Sequence, residues 1–167
     1  ASSATEQEFV QLIAEHQGLI HKVCHMYTRE EQARNDLFQE IVLQLWRAYG
    51  SFRGQAKITT WMYRVALNTA ISGLRKEKRR PQASDLDVQA LEIPQTAYDP
   101  DQEEKRRYLY RAIGQLSEVE KAIVMLYLEE HSYDEIAEVI GITRNHVGVK
   151  LNRIKAKLAK LITPHFS

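Results

Sequence analysis

The segment from residue 132 to residue 162 has the pattern of two amphipathic helices that meet at a tight turn, which limits how it can fold. Gly141 supplies the backbone freedom that a helix end requires, and Thr143 is a residue type that caps a following helix. The apolar faces comprise Ile136, Ala137 and Ile140 before the turn, and Val147, Leu151, Ile154, Leu158 and Leu161 after it. Packing the two helices on each other buries both faces, so the segment predicts an all-α unit.

The opposite side of this helix pair carries basic, amide and imidazole side chains. These residues are Arg144, Asn145, His146, Lys150, Asn152, Arg153, Lys155, Lys157 and Lys160, and no acid occurs after Glu138. A helix that is buried on one side and cationic on the other suits a polyanion with readable edges. This is the helix-turn-helix arrangement for the DNA major groove. A hairpin with a merely solvated basic face is the alternative, but turn, cap, stripe and acid-free face together favour DNA binding.

The formal net charge of +1 conceals an uneven distribution along the chain. Residues 1–80 contain 12 Lys/Arg and 8 Asp/Glu, and residues 105–167 contain 11 and 7. Residues 81–104 contain 7 acids and no base. Two basic blocks are therefore joined by an acidic strip.

The acidic strip has the composition of a linker. It contains Pro81, Pro94 and Pro100 and shows no sustained helical period. We predict an all-α chain of two small helical domains joined by a flexible linker. The expected boundaries are 1–80 for the first domain, 81–106 for the linker and 107–167 for the second domain.

The composition and motifs favour a cytoplasmic non-enzyme. The longest apolar run, residues 122–128, is too short to span a bilayer, and the N-terminus lacks a basic-then-apolar signal segment. Cys24 is the single cysteine, so an internal disulfide is excluded. His21, Cys24 and His25 have helical spacing but no convincing fourth ligand, and no glycine-rich phosphate loop occurs. We expect no metal, cofactor, small-molecule substrate or membrane insertion.

Three further helices are predicted in the first 80 residues. They cover residues 5–27, the segment DLFQEIVLQLWRAYGSF and the segment ITTWMYRVALNTAISGLRKEKRR. The third ends in a cluster of cations, which suits a helix C-terminus through the macrodipole but also favours nucleic acid. The expected inward residues are Phe9, Ile13, Ile20, Val23 and Tyr27, then Leu37, Ile41 and Leu45, then Trp61, Val65 and Ala66.

The loop SFRGQAK between the second and third of these helices combines hydrogen-bond donors with neighbouring aromatic rings. Splayed bases bind by stacking on such rings while polar groups read their edges. The alternative is that most of the rings belong to the core of a small helical domain. The flanking rings are Trp46, Tyr49, Phe52, Trp61 and Tyr63.

The order of segments along the chain resembles that of one family. The segments are DLFQEIVLQLW, then SFRGQAKITTWMYRVALNTAISGLRKEKRR, an acidic linker, LSEVEKAIVMLYLEEHSYDEIAEVIGIT and a basic helix. The chain is similar to bacterial RNA polymerase sigma factors of the small, two-domain extracytoplasmic-function type over about residues 5–162. The resemblance implies a factor that brings core RNA polymerase to promoters and assists promoter opening. It also implies core RNA polymerase, promoter DNA and an anti-sigma factor as partners.

The resemblance implies three binding surfaces. The residues that match the surface for the clamp helices of the polymerase largest subunit are Asp36, Gln39, Glu40 and Trp46. Those that match the minus-ten and strand-opening surface are Ser51, Phe52, Arg53, Gln55, Lys57, Asn68, Ser72, Arg75, Lys76 and Arg79. Those that match the reader of the minus-thirty-five element are Arg144, Asn145, His146, Val149, Lys150 and Arg153. Arginine suits guanine edges, asparagine suits adenine, and valine suits a thymine methyl group.

The chain departs from the family pattern within the basic helix. Many members have Ser-Arg where this chain has Val149 and Lys150, and lysine replaces a forked donor with a point charge. Gly148 in a helix costs about 0.5–1 kcal/mol relative to alanine. Either it allows close approach to the DNA backbone or it is simply tolerated.

Two other functions remain open from the sequence. One is a free-standing helix-turn-helix regulator that binds duplex DNA without polymerase. The other is a module that sequesters an anti-sigma protein by mimicry, which would not need the basic C-terminal face.

Overall fold

The computed structural model describes residues 3–77 and 100–166, and every regular element in these ranges is an α-helix. This confirms the predicted all-α fold. The chain divides into two compact units, Ala1–Pro81 and Gln82–Ser167. The helices are α1 (Ser3–Tyr27), α2 (Glu31–Tyr49), α3 (Ile58–Glu77), α4 (Pro100–Gly114), α5 (Glu118–Leu128), α6 (Tyr133–Ile140) and α7 (Arg144–Phe166).

In the N-terminal unit each of α1, α2 and α3 packs against the other two. The predicted inward residues of α1 and α2 are largely confirmed, since Ile20, Val23, Ile41 and Leu45 have no exposed surface. In α3 the prediction was wrong in part, because Trp61 and Val65 are only half-buried. The residues of α3 that fill the core are Met62, Tyr63, Ala66, Leu67 and Ala70.

Helix α1 is kinked at His16, where φ is −119° and ψ is 18°. The ring Nδ1 of His16 donates to the Leu12 carbonyl oxygen at 3.0 Å. A side-chain donor on a carbonyl one turn earlier competes with the backbone hydrogen bond, which is a recognised cause of helix bending.

Side-chain caps fix the ends of α5 and α6. Ser117 accepts a hydrogen bond from the Glu120 N–H at 3.2 Å, and the Glu120 carboxylate accepts one from the Ser117 N–H at 3.0 Å. Ser132 and Glu135 form the same reciprocal pair at 3.1 and 3.0 Å. Each such box satisfies two otherwise orphaned backbone donors.

The turn between α6 and α7 has the predicted construction. Gly141 has a φ of +84°, and its N–H and that of Ile142 donate to the Ala137 carbonyl at 2.8 and 3.1 Å. Thr143 Oγ1 accepts from the His146 N–H at 3.2 Å. Both the glycine stop and the threonine cap are therefore confirmed.

The linker was predicted to extend to residue 106, but α4 already begins at Pro100. Proline is favoured at the first position of a helix, and Asp101 and Glu103 in the first turn complement the macrodipole. Tyr110 and Ile113 are buried in the C-terminal unit, where α4 packs against α5 and α7. The remainder of the predicted linker up to residue 99, like Arg79, lies outside the described residues.

We expect Gly148→Ala to raise the free energy of unfolding by about 0.5–1 kcal/mol, because alanine loses less backbone entropy in a helix. An added Cβ would lie 3.7 Å from Tyr133 Cε2, an ordinary van der Waals distance. Urea unfolding of the full chain, followed by circular dichroism, measures the change. Gly141→Ala is the control and should lose about 1 kcal/mol because of its left-handed φ. Lower stability of Gly148→Ala would contradict this account.

Candidate nucleic-acid interface

Helix α7 has one buried and one exposed face. Val147, Leu151 and Ile154 are at most 1% exposed, and α4, α5 and α6 all pack against this helix. On the side away from these residues, the exposed ones are Asn145, His146, Val149, Asn152, Arg153, Ala156 and Lys160. Sequence reasoning left Asn152 out of the DNA contacts, although its spacing of three residues from Val149 and seven from Asn145 places it on this face.

Three cations of α7 lie beside the buried stripe and are held by other helices. Lys157 Nζ is 3.0 and 3.1 Å from the two carboxylate oxygens of Glu120. Lys155 Nζ lies 4.8 Å from the centre of the Tyr127 ring. Arg144 Nη1 is 3.6 Å from Asp134 Oδ2. The exposed Arg153 and Lys160 extend from the outward face instead.

The Glu120 carboxylate links the cap of α5 to α7. Partial burial alone would raise its pKa, but hydrogen bonds from the Ser117 N–H and from Lys157 outweigh that effect and hold the pKa below its usual range. The carboxylate therefore stays ionised in the acidic range where an ordinary glutamate begins to protonate. This contact ties the side chain of Lys157 to the N-terminal cap of α5.

In the N-terminal unit, the predicted polymerase-facing residues Asp36, Gln39 and Glu40 are all exposed on α2. Gln32 Nε2 donates to Asp36 Oδ1 at 3.1 Å, and Gln44 Nε2 donates to Glu40 Oε1 at 2.9 Å. Amide side chains one turn away thus orient both carboxylates without neutralising them. The surface is acidic and ordered.

Leu43 lies in the middle of this polar face and was missed from the sequence. It is 41% exposed, three residues after Glu40 and four before Arg47. The signal was available, because Leu43 lies on the face of α2 opposite the buried Ile41 and Leu45. An apolar side chain surrounded by charges is a common feature of protein-binding surfaces.

Five aromatic rings of this unit form a connected cluster rather than a free stacking platform. Phe9 contacts Trp46 and Tyr49 with ring centroids 5.0 and 5.4 Å apart. Trp61 contacts Tyr49 at 6.3 Å and Phe52 at 4.9 Å. Phe9 is buried, whereas Trp46, Tyr49, Phe52 and Trp61 are each half-buried and so remain partly accessible.

The loop between α2 and α3 is folded on itself. The Arg53 N–H donates to Gln55 Oε1 at 3.1 Å, and the Arg53 guanidinium donates to the Gly50 and Phe52 carbonyls. Gly54 has a φ of +75°, a conformation that favours glycine. The predicted loop residues that are exposed are Ser51, Arg53, Gln55 and Lys57.

Helix α3 carries a line of exposed polar residues. Arg64, Asn68 and Ser72 are spaced four apart and are all exposed, so they lie on one face. Arg64 was missed from the sequence, although this spacing could have found it. Arg75 and Lys76 lie in the last turn of this helix.

A groove lies beside the loop, between α1 and the aromatic cluster. Its walls are formed by Gln7, Glu8, Gln11, Leu12 and Glu15 on one side and by Tyr49, Phe52 and Ile58 on the other. Two carboxylates on the α1 wall repel phosphate. This acidic wall makes the groove unfavourable for a nucleic-acid backbone.

The histidine and cysteine residues of α1 do not form a shared site. Cys24 is fully buried, and burial raises the pKa of its thiol to about 12. The exposed His21 ring stacks on Phe38, 4.7 Å away. Within residues 3–77 and 100–166, no three His, Cys, Asp or Glu side chains are grouped to hold a metal ion.

Comparison with known proteins places these surfaces in a family. Residues 12–80 match the Sigma-70 region 2 family, and residues 106–158 match the Sigma-70 region 4 family. The chain is 31% identical over 157 residues to the ECF RNA polymerase sigma-E factor of Escherichia coli K12, covering 86% of this chain and 82% of that protein. The chain belongs to the ECF family of RNA polymerase sigma factors.

Other comparisons agree with the family of this sigma factor. It is 28% identical over 155 residues to the ECF RNA polymerase sigma factor SigM of Mycobacterium tuberculosis H37Rv, covering 92% and 76% of the two chains. Its fold matches that of the sigma factor RpoE from Bartonella quintana, solved with the anti-sigma factor NepR. That match has a TM-score of 0.69 at 19% identity over 94% of this chain and 98% of that chain.

A second solved structure, of CnrH in complex with the cytosolic domain of CnrY, matches the fold with a TM-score of 0.66 at 19% identity. It covers 95% of this sigma factor and 90% of that chain. Sigma factors are transcription initiation factors rather than enzymes. None of the helices in the described ranges is both long and apolar enough to cross a membrane.

Proposed function

We propose that this sigma factor binds core RNA polymerase with the exposed face of α2, opens the minus-ten element with the α2–α3 loop and α3, and reads the minus-thirty-five element with α7. The observation that carries the proposal is the division of α7 into a buried face and an outward face without acids. A helix held in this way presents Asn145, Val149 and Arg153 as a single reading surface.

The polymerase surface is supported by its chemistry. Asp36 and Glu40 are exposed and ordered, Gln39 lies between them, and Leu43 adds an apolar centre. An acidic rim around an apolar residue suits a basic partner helix, since charge steers the encounter and apolar burial slows dissociation. Trp46 contributes only its exposed edge, because its ring packs on Phe9.

The minus-ten surface follows from the order of the loop and α3. The loop is held by its own hydrogen bonds, so little further ordering is needed when it captures an unstacked base. Phe52 and Trp61 offer ring edges there, and Arg64 and Asn68 continue the polar surface along α3. The domain at about residues 1–80 thus serves polymerase and the minus-ten element, and that at 107–167 serves the minus-thirty-five element.

In this function the protein acts in the cytoplasm, as a binding factor with no catalytic site, cofactor or small-molecule substrate of its own. The sigma factor RpoE from Bartonella quintana, which has the same fold, was solved in complex with the anti-sigma factor NepR. We propose that an anti-sigma factor regulates this chain as well. Such a partner competes with polymerase if it covers the acidic face of α2.

We expect the double change Asp36→Lys and Glu40→Lys to abolish binding to core RNA polymerase, because it replaces attraction to a basic helix with repulsion. Co-purification with core enzyme and transcription in vitro measure the loss. The charge-matched control is Glu8→Lys with Glu15→Lys on α1, which should still co-purify. Stoichiometric recovery of the α2 variant with polymerase would refute the surface.

We expect Leu43→Ala to weaken core polymerase binding by about 1–2 kcal/mol while leaving the free energy of unfolding within about 0.5 kcal/mol. Leu43 is 41% exposed, so a large part of its apolar surface is available to a partner. Fluorescence titration of labelled sigma factor with core enzyme gives the affinity. Val10→Ala is the matched control, since Val10 is 66% exposed on α1. If the wild-type protein, Leu43→Ala and Val10→Ala bound core enzyme with equal affinity, Leu43 would not belong to the polymerase-binding surface.

We expect Arg153→Ala to weaken promoter binding by the reconstituted holoenzyme by about 1–3 kcal/mol if its guanidinium forks onto a guanine. The loss should disappear when that base pair is changed. Competition among promoter duplexes with single substitutions in the upstream element measures it. Lys160→Ala, on the same face near the helix end, should weaken all duplexes equally. Unchanged binding of Arg153→Ala at low salt would exclude the residue from the interface.

A further inference from the structure

The ion pair between Arg144 and Asp134 joins the first residue of α7 to the first turn of α6, at the end of α7 that the proposed function places against DNA. Its closest atoms, Nη1 and Oδ2, are 3.6 Å apart, and the two side chains are 68% and 72% exposed. We propose that Asp134 is a positioning residue that sets which base pair Arg144 prefers and suppresses its binding to phosphates. This inference rests on the proposed reading role of α7.

The pair contributes little to the stability of the turn itself. An exposed ion pair stabilises a protein by about 0–1 kcal/mol. Ser132 and Glu135 already cap α6, and Thr143 already caps α7. Glu135 also places a carboxylate in the first turn of α6, so the macrodipole is complemented without Asp134.

A second carboxylate paired with α7 shows the difference between anchoring and positioning. Glu120 is 18% exposed and holds Lys157 at 3.0 Å, which fixes the helix against α5. Asp134 is exposed and lies at a longer distance from its partner. The Arg144 guanidinium is thus steered but not sequestered, and it can turn towards a base edge while one nitrogen stays near the carboxylate.

An acid at this place carries a cost for DNA binding that calls for a function. A carboxylate beside a helix that approaches phosphates repels every sequence alike, so it lowers non-specific affinity. A guanidinium oriented by a carboxylate still offers two parallel N–H groups to guanine O6 and N7. Asp134 therefore weakens binding to DNA that lacks a guanine opposite Arg144 more than binding to DNA that has one. Specificity then arises from an unfavourable contact with the wrong sites.

The test uses full-length protein reconstituted with core RNA polymerase and a pool of promoter duplexes randomised in the upstream element. We expect Asp134→Asn to bind non-matching duplexes more tightly and to reduce the ratio of matched to unmatched affinity about tenfold at one base pair. The salt dependence of binding should steepen by about one unit, since Arg144 then neutralises a phosphate. Asp134→Glu should restore most of the preference.

Two variants separate this role from a structural one. Glu138→Gln removes an exposed acid one turn along α6 and should leave the base preference unchanged. Arg144→Ala should itself lose the preference, and Asp134→Asn added to it should then have no further effect. The inference would be overturned if Asp134→Asn kept the wild-type base preference, or if its only effect were a lower melting temperature. It would also be overturned if Asp134→Asn changed the base preference equally in the Arg144→Ala background. If Arg144→Ala also keeps the wild-type preference, the reading role proposed for Arg144 fails as well.

Discussion

The burial of one face of α7 is the constraint on which the DNA-facing surface depends. Val147, Leu151 and Ile154 are almost completely removed from water by the rest of the C-terminal unit. Truncation of one such side chain costs about 2–5 kcal/mol, several times the contribution of any exposed ion pair on the same helix. The apolar stripe therefore sets the rotation of α7, and the polar contacts adjust side chains on a helix whose orientation is already fixed.

The cations of α7 divide according to this rotation. Those next to the buried stripe reach other helices, as Lys157 does to Glu120 and Lys155 to the Tyr127 ring. Those opposite the stripe, such as Arg153, extend into solvent. Because Lys155 and Lys157 are engaged by other helices, the number of basic residues in the helix overstates the number of its DNA contacts. A chain of net charge +1 can bind DNA because the exposed face of α7 carries cations and no acid, whatever the charge of the rest of the chain.

The sequence was sufficient for α1, α2, α3, α6 and α7 and for the turn at Gly141, because these follow from apolar periodicity and from local backbone chemistry. It was insufficient where tertiary packing decides. The core face of α3 is centred on Met62 and Leu67 rather than on Trp61 and Val65. Both sets of residues fit a helical period, so the sequence pattern could not distinguish them. The start of α4 at Pro100 was missed because a run of acids resembles a linker until buried Tyr110 is known.

The aromatic cluster determines which substitutions can test the proposed polymerase-binding surface. Trp46 was selected from the sequence as a contact, but its ring packs on Phe9, which in turn contacts Tyr49. Replacing a large, half-buried aromatic residue leaves a cavity that costs up to about 3–5 kcal/mol and disturbs the loop through Trp61 and Phe52. A loss of polymerase binding in a Trp46 variant would therefore mix a lost contact with a displaced loop. The exposed residues of α2 do not couple to the loop in this way, which makes them the informative positions.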